Sequence, residues 1–459
     1  MDTILKKVIR RITPNEKERR ELSCVLKRVL DAVDAVIKPL GLEKTLAGSL
    51  IRDTWLTDKK EIDIFIMFPV SYPREKLEKT GLDIGRKIVK KLGGRYEISY
   101  AEHPYVKGKV NGFSLDIVPC YRVKSASKIK SAVDRTPFHN NYVLKHLRPE
   151  MSKEVRLLKQ FCKAMDVYGS DIRTQGFSGY LCELLIIKYR TFKNLVKSAR
   201  NWKFGEFIDL EGHSAIERPE DYFRGQPLIV IDPTDPKRNV AAALSEGNFA
   251  KFVETCRKFV EKPSERFFEI EKIPMKRNEL RKVLKERGTE LFVVKFKRPP
   301  VVDDILWAQM RKTMNRIVNL AHDNEFEVFM TEVWSDEKFS YMLLEMKTWK
   351  LPEIRKVNGP PVRSAKHVKE FREKYGNKAH IEGSRWVAEV KRKYREFGKL
   401  LESFLSRNRK KLLEDGVRSH IAEGISKGFR ILKTGDVEKL IARDREFSVF
   451  LGKYFRRRT

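Results

Sequence analysis

Cysteine and histidine are scarce and scattered in this chain of 459 residues. The five cysteines are odd in number, stand far apart and include no CxxC pair, which argues against a disulfide framework and against a structural zinc site. The eight histidines show no HExxH-like spacing. From the residues alone, we expect each histidine to be a surface or packed side chain and not a metal ligand.

Long apolar runs are also missing. No segment has enough consecutive apolar residues to span a bilayer, and the N-terminal segment MDTILKKVIRRITPNEK is too polar for a signal peptide. The sequence contains neither an internal repeat nor a low-complexity segment. These features predict a cytoplasmic protein without a membrane span.

Acidic side chains fall well short of basic ones. The sequence has 96 Lys and Arg against 63 Asp and Glu, a formal net charge of +33. An excess of this size points to a polyanionic partner, either nucleic acid or an anionic membrane surface. The basic residues are spread along the chain and do not gather on one amphipathic helix, which favours nucleic acid. Residues 385–459 hold 21 Lys and Arg against 10 Asp and Glu, so we expect phosphate contacts at this end.

The length predicts about three domains, and the pattern of apolar residues changes twice along the chain. Up to about residue 145, helices alternate with strands, including a strand over Arg95–Ala101 and a hairpin over residues 105–121 that turns at Asn111-Gly112. From about residue 152 the pattern is helical, and it predicts one helix over residues 179–200 and another over residues 240–261. The proline-containing segment 231–239 is predicted to be a loop. From about residue 290, the pattern indicates an α+β layer.

Residues 48–68, GSLIRDTWLTDKKEIDIFIMF, contain the pattern that is most informative about chemistry. Ile62, Ile64 and Ile66 alternate with polar residues, which is the period of a strand. Glu61 and Asp63 therefore share the face opposite the isoleucines. Two carboxylates this close repel each other unless a cation lies between them, so the pair suits a magnesium site.

The start of the same stretch indicates phosphate binding. Gly48-Ser49, followed by Arg52 and Thr54, predicts a tight turn that enters a short helix, whose N-terminus would attract an anion. Either short motif alone would most often be structural. A phosphate-binding turn about a dozen residues before a carboxylate pair is what nucleotidyl transfer requires.

A third carboxylate lies on the second strand of the predicted hairpin. Phe113, Leu115 and Ile117 alternate there with polar residues, which places Asp116 on the face opposite the apolar side chains. On its own, Asp116 would be a solvated acid. If the hairpin extends the sheet that contains Glu61 and Asp63, Asp116 joins them as a third ligand.

Several strings in the sequence carry a resemblance to a known family. The GS turn, Arg52, Thr54, the EID segment and the later acidic strand are similar to the nucleotidyltransferase superfamily that includes DNA polymerase beta and poly(A) polymerases. A closer resemblance is to the archaeal, class I CCA-adding enzymes. It rests on the strings AEHPYVKG, LDIVPCY, KIKSAVDRTPFHN, EVRLLKQF, QGFSGYLCELL and DPTDPKRNVA, which keep the family's order over about residues 10–300 and more loosely to the end.

The resemblance implies an α+β fold with four parts. These are a polymerase-beta-like nucleotidyltransferase head over residues 1–145, an all-helical neck that binds the nucleotide and its base over 146–262, an α+β body with a small antiparallel sheet over 263–395, and a basic helical tail over 396–459. Body and tail would bind the acceptor and TΨC arms of tRNA. The resemblance also allows a homodimer.

The resemblance further assigns roles to nine residues. Its metal-binding carboxylates fall on Glu61, Asp63 and Asp116; its triphosphate contacts on Ser49, Arg52, Lys159 and Tyr168; a further nucleotide contact on His139; and its base-contacting arginine on Arg238. Lys159 lies just off the apolar stripe of its predicted helix, so we expect it to face a cleft. Leu50 is a departure, because many relatives have an aromatic residue or Thr after GS.

The implied reaction is the addition of C, C and A to the 3′ end of tRNA, with repair of incomplete ends. CTP and ATP are the substrates, two Mg²⁺ ions are the cofactors, and pyrophosphate is released without a nucleic acid template. Two alternatives stay open at this point. A poly(A) polymerase-like enzyme would not stop after three nucleotides, and a non-catalytic RNA-binding protein would not need the three acids.

Overall fold

The alternating strand at residues 61–68 lies inside a five-stranded sheet in the computed structural model. The strands are β1 Glu43–Ala47, β2 Glu61–Phe68, β3 Arg95–Tyr100, β4 Pro104–Val110 and β5 Phe113–Tyr121, in the order β1-β2-β5-β4-β3. Strand β2 is parallel to β5, and the other pairs are antiparallel. The hairpin β4–β5 therefore does extend the sheet of Glu61 and Asp63, as the third-carboxylate hypothesis requires.

The structure describes residues 1–57, 60–100, 102–213 and 219–456. Ala101, the last residue of the strand predicted over Arg95–Ala101, and residues 457–459 of the predicted tail lie outside this description. The chain divides into two units, Met1–Glu271 and Lys272–Thr459.

One face of the five-stranded sheet is covered by helices. Of the three N-terminal helices, α2 Glu16–Ile37 and α3 Arg74–Lys91 pack on this face, whereas α1 Asp2–Ile12 packs against the later helix Ser152–Ala164. Ile62, Ile64 and Ile66 are fully or almost fully buried and share one apolar cluster with side chains of α2 and α3. The predicted alternation is confirmed, and it leaves Glu61 and Asp63 on the face away from these helices.

The rest of the first unit is mainly helical. Its helices are α4 Thr136–His146, α5 Ser152–Ala164, α6 Gly179–Tyr189, α7 Phe192–Ala199, α8 Pro219–Tyr222 and α9 Glu246–Glu261. The single helix predicted over residues 179–200 is wrong: Arg190 has φ +68°, and Thr191 caps a new helix at its N-terminus. The helix predicted to start at residue 240 begins at Glu246, where Ser245 accepts a hydrogen bond from the Asn248 amide.

The prediction of an all-helical segment over residues 146–262 is also wrong. Strands β6 Glu206–Ile208, β7 Leu228–Asp232 and β8 Asp235–Asn239 form a small sheet in the order β6-β7-β8. All five residues of β7 are buried, and a short apolar run of this kind cannot be distinguished from a buried helical segment by its periodicity alone. The segment predicted as the loop 231–239 is the end of β7 followed by a turn and β8.

The second unit contains two further sheets. Strands β9 Glu290–Lys297, β10 Val328–Ser335, β11 Phe339–Met346 and β15 Phe429–Lys433 form one sheet in the order β10-β11-β9-β15, and strands β12 Ile354–Pro361, β13 Ala379–Glu382 and β14 Arg385–Lys391 form another in the order β12-β14-β13. The helices are α10 Arg277–Arg287, α11 Asp303–Asp323, α12 Ala365–Tyr375, α13 Phe397–Leu405, α14 Arg409–Glu414, α15 Ser419–Ser426, α16 Thr434–Ile441 and α17 Arg445–Phe455. The prediction that the tail, residues 396–459, is only helical is wrong, because its strand β15 pairs with β9.

A buried carboxylate holds the C-terminal helix within the second unit. Glu345 on β11 is completely buried and accepts hydrogen bonds from Arg287 at 2.9 and 3.1 Å, from Thr289 Oγ1 at 2.7 Å and from Tyr454 Oη at 2.8 Å. Burial raises the pKa of Tyr454, and the charge of Glu345 raises it further. This cluster fixes α17 against the sheet.

Candidate active site

Three acids share the sheet face opposite helices α2 and α3. In the parallel pairing of β2 with β5, Asp63 stands directly opposite Asp116, and Glu61 lies two residues before Asp63 on the same face. Neighbouring strands are about 4.8 Å apart, so the two aspartates are adjacent. In the described ranges, no three His, Cys, Asp or Glu side chains are grouped so that they could hold a metal ion as they stand. The register establishes a shared face, and the side chains would have to turn to share an ion.

The chemistry of these donors fits a magnesium ion. All three predicted ligands are carboxylates, the oxygen donors that Mg²⁺ prefers. The negative charge of the acids affects the pKa of Tyr105 on β4. Burial raises this pKa, and the charges of Asp116 and Asp63 raise it further. A divalent cation would offset this negative charge. A cavity of about 580 Å³ opens at the Glu61 end of this face; its lining includes Lys60, Glu61, Lys109 and Ser114 but neither Asp63 nor Asp116.

Gly48 lies against the carboxylate of Asp63. Its φ is +82°, and a Cβ built on it would collide with the Asp63 carboxylate, at 3.0 Å from Cγ. Only glycine satisfies both the backbone conformation and the close approach. The short helix predicted after Ser49 is wrong, because residues 49–53 form successive turns in which Asp53 has φ +48°. The Thr54 amide closes this loop by donating to the Ser49 carbonyl at 2.8 Å.

Two arginines hold the loop of residues 48–55, which we call the GS loop. Arg156 on α5 is buried and donates to the Trp55 carbonyl at 2.9 Å and to the carbonyl and carboxylate of Asp53 at 2.6 Å. Arg19 on α2 donates to the same carboxylate at 2.9 Å. Carbonyl oxygens of a non-helical loop need such partners when they are buried. The loop is therefore fixed to α5 and α2.

A second buried carboxylate, Glu183 on α6, gathers two of the predicted phosphate ligands. Arg52 forms an ion pair with Glu183 and donates through Nε to the Gly48 carbonyl at 3.1 Å. Lys159 Nζ lies 3.4 Å from Glu183 Oε1, and donates to Thr54 Oγ1 at 2.9 Å and to its carbonyl at 3.1 Å. Thr54 Oγ1 in turn donates to Glu183 at 2.6 Å. The structure thus brings Arg52 and Lys159 together on one carboxylate.

Lys159 does not face an open cleft, contrary to the prediction. It is 2% exposed, because α1, α6 and α7 pack around α5 and leave little of it uncovered. Burial lowers the pKa of the Lys159 ammonium, which Glu183 opposes. Burial also acts to raise the pKa of Glu183, but the charges of Arg52 and Lys159 outweigh it and leave that pKa below its ordinary value.

Tyr168 lies next to this cluster. A Cβ on Gly179, in the first turn of α6, would lie 3.3 Å from Tyr168 Oη and 3.8 Å from Lys159 Nζ. Burial raises the pKa of Tyr168, and charges including those of Glu183 and Glu61 add to the effect. Tyr168 is therefore within electrostatic range both of the Glu183 cluster and of the acids on the sheet.

His139 and Arg238 meet at a third buried carboxylate, Asp232 at the end of β7. His139 Nε2 lies 2.7 Å from Asp232 Oδ2, and Arg238 Nη1 donates to the same oxygen at 2.7 Å. The His139 ring stacks on Tyr180 with 4.1 Å between centroids. Burial acts to raise the pKa of Asp232, but the hydrogen bond with His139, the charges of His139 and Arg238 and the Thr234 amide together lower it far below its ordinary value. Burial lowers the pKa of His139 despite this partner.

Three family models match consecutive parts of the chain. The models described as a nucleotidyltransferase domain, as the second domain of tRNA nucleotidyltransferase and as the C-terminal domain of the CCA-adding enzyme match residues 26–139, 153–269 and 287–434. The chain is 39% identical to the CCA-adding enzyme of Methanosarcina acetivorans over 97% of both chains. It is 36% identical to that of Methanothermobacter thermautotrophicus over 99% of this chain and 98% of the relative. The chain belongs to the archaeal-type CCA-adding enzymes.

Membership among the CCA-adding enzymes confirms the activity predicted from the sequence, that of a CCA-adding tRNA nucleotidyltransferase. It also confirms the mixed α+β fold class with a polymerase-beta-like head. Among solved structures, the Cid1 poly(U) polymerase with MgGTP bound is similar with a TM-score of 0.46 and 12% identity, over 58% of this chain and 98% of that one. Within the described ranges, no helix is long and apolar enough to cross a membrane.

Sequence reasoning missed the buried partners of the site in this CCA-adding enzyme. Glu183 is the only charged residue in the buried run of residues 181–187 of the helix GYLCELLIIKY, and a charge inside such a run is a sequence signal for a buried ion pair. Asp232 ends an apolar strand just before two prolines, where it resembled an ordinary loop acid. Arg156 was hidden among the many basic residues of α5.

Proposed function

We propose that Glu61, Asp63 and Asp116 hold two Mg²⁺ ions during CCA addition. The observation that carries the proposal is the register, which sets Asp63 opposite Asp116 beneath the Gly48 turn. When bound, the ions would lower the pKa of the RNA terminal hydroxyl and neutralise charge on the triphosphate and the leaving pyrophosphate. The task left to the side chains is to position the ions and the two substrates.

Asparagine substitutions test this assignment. Asp63→Asn and Asp116→Asn keep the shape of the side chain but remove the charge that binds a metal, so incorporation of labelled CTP should fall by at least about a hundredfold. Glu97→Gln on β3 is the matched control, because it neutralises an exposed acid on the edge strand of the same sheet. Full incorporation by either asparagine variant would refute the assignment.

The incoming nucleotide is proposed to lie between the GS loop and the α5–α6 side of the site. Ser49, Arg52, Lys159 and Tyr168 would contact the triphosphate, since Lys and Arg are the side chains suited to phosphate. His139 would lie at the nucleotide, and Arg238 would contact the base. The joint anchoring of Arg52 and Lys159 on Glu183, and of His139 and Arg238 on Asp232, supports these two groupings.

The nucleotide substrates are proposed to be CTP and ATP, and the RNA contacts to involve the acceptor and TΨC arms. The net charge of +33 supports contacts with many phosphates. Incubation with Mg²⁺, single nucleotides and tRNA that lacks one, two or three terminal residues would show which ends are completed. CCA addition and repair predict products that stop at CCA, whereas continued growth with ATP alone would contradict them.

Light scattering would decide whether the enzyme forms the homodimer that its family resemblance allows.

A further inference from the structure

Glu183 forms ion pairs with both Arg52 and Lys159. The three side chains are between 2% and 8% exposed, so two cations and one anion are enclosed together. A buried cation without a partner is strongly destabilising, whereas a paired one is tolerated. Glu183 therefore makes it feasible to keep two positive charges beside the GS loop before a nucleotide arrives.

The same carboxylate also fixes where those charges stand. Its Oε1 accepts from Thr54 Oγ1 at 2.6 Å, and Lys159 donates to Thr54 through both the hydroxyl and the carbonyl. Arg52 is held at the other end of the loop through the Gly48 carbonyl. One buried carboxylate thus couples helix α6, helix α5 and both ends of the loop that approaches Asp63.

We propose that Glu183 is a positioning residue for nucleotide binding, which holds Arg52 and Lys159 in place for the triphosphate. The inference rests on the proposed role of Arg52 and Lys159 as triphosphate contacts. Glu183 does not itself touch the nucleotide, since a carboxylate would repel it. Its effect is exerted through the two cations and through Thr54.

The charges around Lys159 give this role a signature in pH. Burial lowers the pKa of Lys159; Glu183 and Cys182 on α6 act to raise it, and Arg52 acts to lower it. Replacing Glu183 by Gln removes the main opposing charge, so Lys159 should lose its proton at a lower pH. Triphosphate binding should then weaken as the pH rises, beginning at a lower pH than in the wild type.

The test measures kcat and KM for ATP on tRNA that ends in CC, between pH 6.5 and 9.5. Glu183→Gln should raise KM for ATP by about tenfold or more at neutral pH, with a further rise that begins at a lower pH than in the wild type. Glu345→Gln is the matched control, because it removes another buried, arginine-paired carboxylate far along the chain. A KM and pH profile equal to those of the control would overturn the proposal.

Two further sets of variants separate the possible failures. If Arg52→Ala and Lys159→Ala leave KM for ATP unchanged, the proposed triphosphate contacts are wrong; if they raise it while Glu183→Gln does not, only the role of Glu183 is wrong. Should Glu183→Gln fail to fold, the double variant with Lys159→Met removes the more deeply buried of the two cations that lose their anion. Recovery of folding in the double variant would support the coupling, and no recovery would contradict it.

Discussion

Replacing Gly48 by Ala should uncouple activity from stability in this enzyme. Gly48 has φ +82°, and the added Cβ would collide with the Asp63 carboxylate. A left-handed conformation costs a non-glycine residue about 1–2 kcal/mol. Relief of the collision requires the carboxylate or the loop to move on the order of 1 Å, a displacement that costs about a hundredfold in rate when it affects reacting groups.

The matched control is Gly41→Ala. Gly41 has φ +64°, and a Cβ there would meet nothing within 4 Å. Both variants should lose about 1–2 kcal/mol of unfolding free energy in urea. Only Gly48→Ala should lose about a hundredfold in single-turnover incorporation of labelled CTP. Activity of Gly48→Ala within threefold of Gly41→Ala would refute the idea that this glycine sets the geometry at Asp63.

Three further predictions follow from the buried partners and the charge. Asp232→Asn should raise KM for CTP and ATP by about tenfold, because Arg238 and His139 lose their shared anion, and steady-state kinetics on tRNA ends would measure it. Because the pKa of Asp232 is lowered in the folded protein, its carboxylate stabilises the fold at neutral pH, and this stabilisation is lost as the pH falls below the unfolded value of 3.8. The free energy of unfolding of Asp232→Asn should therefore decrease less on acidification than that of the wild type. Arg156→Met should cost about 2–4 kcal/mol in urea unfolding, because it leaves the carbonyls of Asp53 and Trp55 without their donor.

The outcomes that would contradict these predictions are equally specific. An unchanged KM in Asp232→Asn would show that Arg238 and His139 do not need this anion. Parallel acid unfolding of Asp232→Asn and the wild type would remove Asp232 from the pH dependence. A loss below about 0.5 kcal/mol in Arg156→Met would mean that water replaces the guanidinium.

The sheet and its acids could be predicted from the sequence because their signal is local. Alternation fixed which face Glu61 and Asp63 share, and the Asn111-Gly112 turn defined the hairpin that brings in Asp116. Pairing of that hairpin with strand β2 is a long-range contact that no local pattern reveals. The role of Asp116 as a third ligand could therefore be predicted only on the condition that the two strands pair.

The parts that failed depend on tertiary contacts. The turns after Ser49 replace a helix because Asp53, with φ +48°, is held by Arg156 and Arg19 from distant helices. The burial of Lys159 follows from packing on several sides of α5, which the period of one helix does not reveal. Strand β15 forms in the tail because its backbone pairs with strand β9, which is distant in the sequence.

Binding of Mn²⁺ in place of Mg²⁺, followed by electron paramagnetic resonance in the presence of CTP, tests the central claim most directly. Two ions should bind the wild type and the Glu97→Gln control, and affinity should fall at least about tenfold in Asp63→Asn and in Asp116→Asn. Wild-type stoichiometry and affinity in Asp116→Asn would contradict the assignment of this face of the sheet as the metal site.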